Sequence, residues 1–309
     1  MALRFGLHTG PQDVSIGDLR RAWRRADEAG FHWCSVWDHF YSLSSPAGPC
    51  LEGVATMAAL ACETKRVRVG CLVFCVMYRH PAVLANAAVT IDHLSGGRCE
   101  LGIGAGWNEP EAAAYGMDFP PIGERLGRLE ETAKIIRGLW RNEETTLNGR
   151  YYRLDRARCE PKPVQAAPRL WIAGQGERRL LRIVARHADA WNVPFLSPEL
   201  YAARNATLTE WCERERRDPT AILRSVNVGL VIGRTDAEVR REEALLADQF
   251  GPLLGLVRDG IMVGTPQQVI DRIGAYHDAG AELVIIALRA PFNWGGLELF
   301  ISDVMPAFA

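Results

Sequence analysis

Eight times between Leu3 and Val304, a short apolar stretch ends in glycine or polar residues and gives way to a longer stretch with helical periodicity. The apolar stretches are Leu3 to Leu7, Trp33 to Trp37, Val67 to Phe74, Arg98 to Ile103, Leu170 to Ala173, Ala190 to Val193, Ser225 to Ile232 and Leu283 to Leu288. Most lack the polar–apolar alternation of a half-exposed strand, so they predict strands covered on both faces, as in a parallel sheet. The helical stretches between them carry their own punctuation. Asp18 to Ala29 places Leu19, Ala22, Trp23 and Ala26 on one face and stops at Gly30, and Pro81 opens the helix running to Leu94. Further helices are predicted over Glu52 to Glu63, Glu124 to Trp140, Glu177 to His187, Pro198 to Arg214, Pro266 to Ala279 and Leu297 to Val304.

Eight such units in 309 residues, with no break in composition, predict one (β/α)8 barrel spanning residues 1–309. A doubly wound open sheet is the competing architecture. Against it, the first strand runs into HTGPQD rather than a glycine-rich dinucleotide fingerprint. The residues in excess of a minimal barrel fall at about 107–123, 143–168 and 236–263. The second of these carries Asn148-Gly149 between Thr145-Thr146-Leu147 and Tyr151-Tyr152-Arg153-Leu154, which predicts a small β-hairpin ahead of the fifth strand.

A formal net charge of −1 gives no electrostatic reason to seek nucleic acid or an anionic membrane. No apolar run approaches the roughly 20 residues that span a bilayer. The N-terminus enters a strand almost at once, so a cytoplasmic protein is expected. The eight cysteines are scattered and several lie in strand-like runs such as CLVFCV, which predicts free thiols rather than disulfides. The chain has no Cys-x-x-Cys, His-x-His or His-Glu-x-x-His, so no metal site is predicted.

A barrel brings the C-terminal ends of its strands to one face, where active sites of this architecture lie. That face collects His8, Asp38, His39, Cys75 to His80, Gly104 to Glu109, Ala173 to Gly176, Trp191, Asn192 and Arg289. Asp38-His39 has the most chemical potential: an imidazole exchanges protons near neutrality, and a carboxylate can hold a polar edge. Gly102, Gly104 and Gly106, and one strand later Gly174 and Gly176, either offer bare N–H groups to a phosphate or only turn the chain. Trp37, Tyr78, Trp107 and Trp191 suit a flat ring or plain packing, and Arg289 an anion or a surface ion pair. A metal-dependent hydrolase using His8, Asp38, His39 and His80, or a flavin-binding protein without catalysis, are the competitors from other classes.

The ordered segments SVWDHF, VFCVMYRHP, TIDHLSGGRCELGIGAGWNEPE, AYGMDFPPIGERLGRLEE, YYRL followed by CEPKPVQ, LWIAGQGERRLLRIVARHADAWN and VGTPQQVIDRIGAYHDAGA resemble the luciferase-like monooxygenase family. The likeness is to its branch that uses coenzyme F-420, an 8-hydroxy-5-deazaflavin, with an FMN-dependent monooxygenase as the close alternative. The resemblance implies hydride transfer with a small organic substrate, the ring bound at the mouth of the barrel, and a homodimer. It implies that Asp38 contacts the ring's polar edge and that His39 stands by the reacting centre. It places Cys75-Val76 at a non-prolyl cis peptide behind the ring. Ala105, Gly106, Asn108, Ala173, Gly174, Gln175 and Gly176 match positions around the ring, ribityl chain and phosphate. His8, Tyr78, Trp107, Trp191 and Arg289 are left for the substrate. Its rim would come from His8 to Asp13, Phe40 to Cys50, Asn108 to Ile122 and Phe250 to Met262. Trp107 stands where sugar-phosphate-oxidising relatives have glutamate, and no lysine lies near a strand end, so a sugar phosphate is not the expected substrate.

Overall fold

The computed structural model describes residues 3–42 and 47–308, and part of the expected Phe40 to Cys50 rim falls outside them. Eight strands pair in parallel: β1 (Arg4–Thr9), β2 (Trp33–Val36), β3 (Arg68–Cys71), β4 (Cys99–Gly104), β5 (Leu170–Ala173), β6 (Ala190–Pro194), β7 (Leu223–Ile232) and β8 (Leu283–Leu288). Each pairs with the next, and β8 returns to β1 with Arg4 opposite Leu283 and Thr9 opposite Leu288. The sheet therefore closes into the predicted (β/α)8 barrel, with no free edge between first and last strand.

Helices cover the outside. The first, Ile16–Ala29, begins two residues before Asp18 because the Ser15 side chain caps it by accepting from the Asp18 N–H at 3.0 Å, and Gly30 ends it at φ 84°. The barrel floor is filled from within. The Trp33 and Trp171 rings meet with centroids 4.6 Å apart, packed with Leu223, Leu283 and Ile285. Trp171 donates its indole N–H to Glu100 at 2.6 Å, and Glu100 also accepts from Arg68 at 2.8 Å and Arg169 at 3.1 Å. A buried carboxylate is tolerable on these terms, since every charge in the group has a partner. With the floor filled, the cavity of the barrel lies at its C-terminal mouth.

The structure departs from sequence expectation in three places. The predicted third strand, Val67 to Phe74, is interrupted: β3 ends at Cys71, a non-prolyl cis peptide joins Leu72 to Val73, and pairing with β4 resumes at Phe74 and Cys75. The expected cis bond at Cys75-Val76 is thus corrected to Leu72-Val73. The physical reason lies on the neighbouring strand. A Cβ on Gly104 would sit 2.5 Å from the Val73 side chain, and one on Gly102 would sit 2.1 Å from the Cys71 carbonyl. The two glycines make room for the bulge, while Cys75 is already back in register opposite Gly104.

The hairpin forms, between Thr145–Asn148 and Arg153–Ala157, but Asn148 pairs directly with Arg153. The turn is therefore 149–152, and it is held by the Glu131 carboxylate accepting the N–H groups of Arg150, Tyr151 and Tyr152 at 2.7–3.0 Å. The third insertion folds into short helical turns from Asp236 to Gly260 and then a ninth parallel strand, Ile261–Gly264, beside Gly229 to Ile232 of β7. Its own small core of Val231, Val239, Leu246, Phe250 and Ile261 leaves Leu253, Leu256 and Val257 facing the mouth. Among the described residues no helix is long and apolar enough to cross a membrane.

Candidate active site

A cavity of about 1000 Å3 opens at the C-terminal ends of the strands, large enough for a cofactor-sized ring and a second small molecule. Its wall contains His8, Asp38, His39, Cys75, Tyr78, Ala105, Gly106, Trp107, Asn108, the whole run Ala173 to Gly176, and Arg289. Two expected residues are elsewhere. Val76 is buried away from the cavity, and Trp191 is 0% exposed, stacked on Tyr201 at 5.6 Å with its indole N–H given to the Gly174 carbonyl at 2.9 Å. Successive strand residues point to opposite faces of the sheet, so Asn192 lines the cavity and Trp191 packs outward under a helix.

His39 is the centre of a proton-handling unit. Its Nδ1 lies 2.8 Å from Glu111, a carboxylate at 1% exposure that also accepts the Tyr78 hydroxyl at 2.8 Å and the N–H groups of Tyr41, at 2.9 Å, and Phe40. Burial works to raise the Glu111 carboxyl, but the bond from His39 and those from the two backbone N–H groups outweigh it and hold it below the usual carboxylate range. An ionised acceptor on Nδ1 makes that nitrogen the donor. Nε2 is left as the imidazole's proton acceptor on a residue of the cavity wall.

Glu111 was missed in the sequence because 108–123 reads as irregular. In fact Asn108 caps a short helix, Glu109–Ala114, by accepting from the Glu111 N–H at 3.4 Å. Asn108 followed by Glu-Pro-Glu is the N-terminal signature that would have revealed it.

Asp38, on the cavity wall, is held by a network of its own. Arg79 holds it at 2.7 and 2.9 Å through both carboxylate oxygens, and one of these also accepts the Cys75 N–H at 3.0 Å. Burial raises its carboxyl and Arg79 pulls it back only in part. With both oxygens engaged, Asp38 ties the end of β2 to the segment after the bulge.

His8 is also committed. Its Nδ1 is 2.8 Å from the Ser35 hydroxyl, and burial, then the nearby Arg289 charge, lower it to about 3, so it is neutral at physiological pH. Trp37, 4.9 Å from His8, lies flat on bare backbone: a Cβ on Gly10 would be 1.6 Å from its ring. Trp107 is 56% exposed at the lip, edge-on to His39 at 5.4 Å.

The loop after β5 is longer than predicted. The helix expected from Glu177 starts at Leu180, so Glu177, Arg178 and Arg179 become part of the wall, joined by Arg204. Arg179 donates to the Gly123 carbonyl and Arg204 pairs with Glu177. The lack of lysine therefore does not leave the cavity without cations. Gly174, at φ 136°, closes this wall so tightly that a Cβ there would meet Leu180 at 2.3 Å. Asn227 Oδ1 and Arg289 Nε are buried here without hydrogen-bond partners. A flat ring with polar edges and a phosphorylated tail fits these features: an apolar bulge at Val73, a bare-backbone arginine-flanked loop, and polar atoms awaiting partners. The four hydrolase candidates do not gather: among the described residues no three His, Cys, Asp or Glu side chains form a metal-sized group, and His80 caps the helix Pro81–Leu94.

Comparison with known proteins gives the same picture of the fold. The family model for luciferase-like monooxygenases matches residues 2–253. The chain is 28% identical to the F420-dependent glucose-6-phosphate dehydrogenase of Amycolatopsis mediterranei, over 98% of each chain. It is 29% identical to the enzyme of that name from Intrasporangium calvum, over 91% of this chain and 92% of the other. Among solved structures, an F420-dependent secondary alcohol dehydrogenase in complex with an F420-acetone adduct superimposes with a TM-score of 0.89 at 21% identity, covering 100% of both chains.

Proposed function

The chain belongs to the luciferase-like monooxygenase family, and from that premise we propose that it is an oxidoreductase passing hydride between coenzyme F-420 and a small organic substrate at the barrel mouth. The observation that carries this is the His39–Glu111 unit on the wall of a cavity otherwise shaped for a flat ring. The names of its curated relatives, F420-dependent dehydrogenases, support the cofactor. When bound, the deazaflavin supplies the two-electron hydride chemistry.

The chain's own residues do the rest. The loop Ala173 to Gly176, with Arg178 and Arg179, would hold the phosphate tail on N–H groups and charge, and Ala105, Gly106 and the Val73 bulge would fix the ring's face. His39 Nε2 takes the proton from a substrate hydroxyl, or returns it to a carbonyl, as hydride moves. Glu111 keeps the imidazole in the competent tautomer and stabilises it when charged. The apolar residues of the third insertion keep bulk water from the reacting atoms. With Trp107 at the lip, glucose 6-phosphate is not the expected substrate. The chain is proposed to act in the cytoplasm as a homodimer, in keeping with its soluble-enzyme composition and family.

Titration of the purified protein with F-420 and with FMN tests the assignment. F-420 is expected to bind at least about tenfold more tightly, a difference of about 1.4 kcal/mol. Tight FMN binding without F-420 binding overturns the assignment in favour of an oxygen-activating enzyme.

A further inference from the structure

Arg289 directly follows β8 on the cavity wall, in a setting that a structural arginine does not need. Among the described residues it forms no ion pair and no hydrogen bond, and its Nε is buried without a partner. Its guanidinium lies instead between two aromatic rings, 5.0 Å from Trp37 and 4.6 Å from Phe250. Both rings are themselves fixed. Trp37 rests on Gly10 and donates its indole N–H to Gln12 at 2.8 Å, and Phe250 belongs to the small core of the third insertion. Burial draws the guanidinium down to about 10, with Asp13 acting the other way, so it remains charged at neutral pH. The buried carboxylates Glu100, Asp38 and Glu111, by contrast, all have direct partners within hydrogen-bond distance.

A desolvated cation without a partner is costly, and a cation held in place by flanking rings loses little further freedom when an anion arrives. Arg289 also stands apart from the arginines of the loop after β5, since it follows the eighth strand and they follow the fifth. We infer that Arg289 is the receptor for a carboxylate on the substrate, and that the enzyme acts on organic acids bearing the oxidisable hydroxyl or reducible group elsewhere on the molecule. A single carboxylate fits better than a phosphate monoester. It brings one charge to one guanidinium and pairs with two parallel N–H groups, whereas His8, on the same cavity wall, is neutral and adds no second cation. The unpartnered Asn227 Oδ1, on the adjacent strand, is an acceptor for a hydroxyl of the same ligand. This inference rests on the proposed function for its chemistry but not for its binding contact.

The test uses benzoate and benzamide as probes, isosteric in outline and differing in charge, titrated into the F-420-loaded protein and into the protein without cofactor. Benzoate is expected to bind about tenfold or more tightly than benzamide. Arg289→Met is expected to abolish that preference and Arg289→Lys to keep part of it, with F-420 affinity and melting temperature reporting that each variant is folded. Equal binding of the two probes, binding of neither, or a preference that survives Arg289→Met overturns the inference. Inorganic phosphate displacing benzoate more effectively than acetate does would overturn the choice of carboxylate. If benzoate binds through Arg289 but F-420 does not bind at all, the proposed function fails while the anion site stands.

Discussion

The floor and the mouth of this barrel both bury charge, and they do so on opposite terms. At the floor, Glu100 is satisfied by Arg68, Arg169 and Trp171, and Trp33 fills the space left by the missing side chain of Gly70, where a Cβ would lie 2.2 Å from its ring. At the mouth, Arg289 Nε and Asn227 Oδ1 have no partner, and His39 keeps one nitrogen uncommitted. A buried charge with a completed network holds structure together, whereas a charge left unpartnered on a cavity wall is where a ligand can complete the set.

Substitutions at the two ends should accordingly separate stability from activity. His39→Ala is expected to lower kcat by about 10^2 to 10^4 while leaving the melting temperature nearly unchanged, which steady-state kinetics and calorimetry measure together. A large drop in melting temperature would make His39 part of the framework instead. Gly70→Val, by forcing a branched side chain into the Trp33 ring, is expected to cost about 3 kcal/mol or more in denaturant unfolding, or to prevent folding. If it were harmless, the floor would be far looser than its geometry.

Glu111→Gln sits between these extremes. It keeps the shape but removes the ionised acceptor on His39 Nδ1, so kcat is expected to fall about 10- to 100-fold with a shift of the pH–rate profile. An unchanged profile would reduce Glu111 to a loop anchor.

His8 gives a pH signature. Its folded pKa of about 3 lies below the ordinary value of 6.5, so between these values the unfolded chain binds more protons than the folded one. Its contribution is therefore fully present above about 6.5 and lost as pH falls, at up to about 1.4 kcal/mol per pH unit. Unfolding curves of wild type and His8→Asn between pH 4.5 and 7 should converge on the acid side; parallel curves would mean that His8 titrates normally. The smallest effect is expected for Trp107→Leu, a change of a few-fold in KM with no change in melting temperature, because the residue is exposed at the lip.

The alternation of apolar strands and amphipathic helices was enough to specify the barrel, since parallel strands covered on both faces have few ways to close. It also brought most candidate residues to one face, because strand ends are readable from where the apolar run stops. What stayed hidden depended on contacts between distant segments. The break in VRVGCLVFCV is invisible within that run, and its cause is Gly102 and Gly104 on the next strand, which the sequence presents as loop glycines. Trp191 and Asn192 are adjacent in sequence yet face opposite ways, and choosing between them needs the pleat's phase. Arg79 and Glu111 gain their meaning only from partners 41 and 72 residues away.

The ninth strand has a consequence for how the mouth can change. The third insertion leaves β7 at Ile232 and returns through Ile261, which lies beside Gly229, so both ends of the segment are anchored side by side on a rigid sheet. Such a segment is a cassette. A change in its residues from Asp236 to Gly260 would alter what the cavity accepts while the barrel strands keep their places.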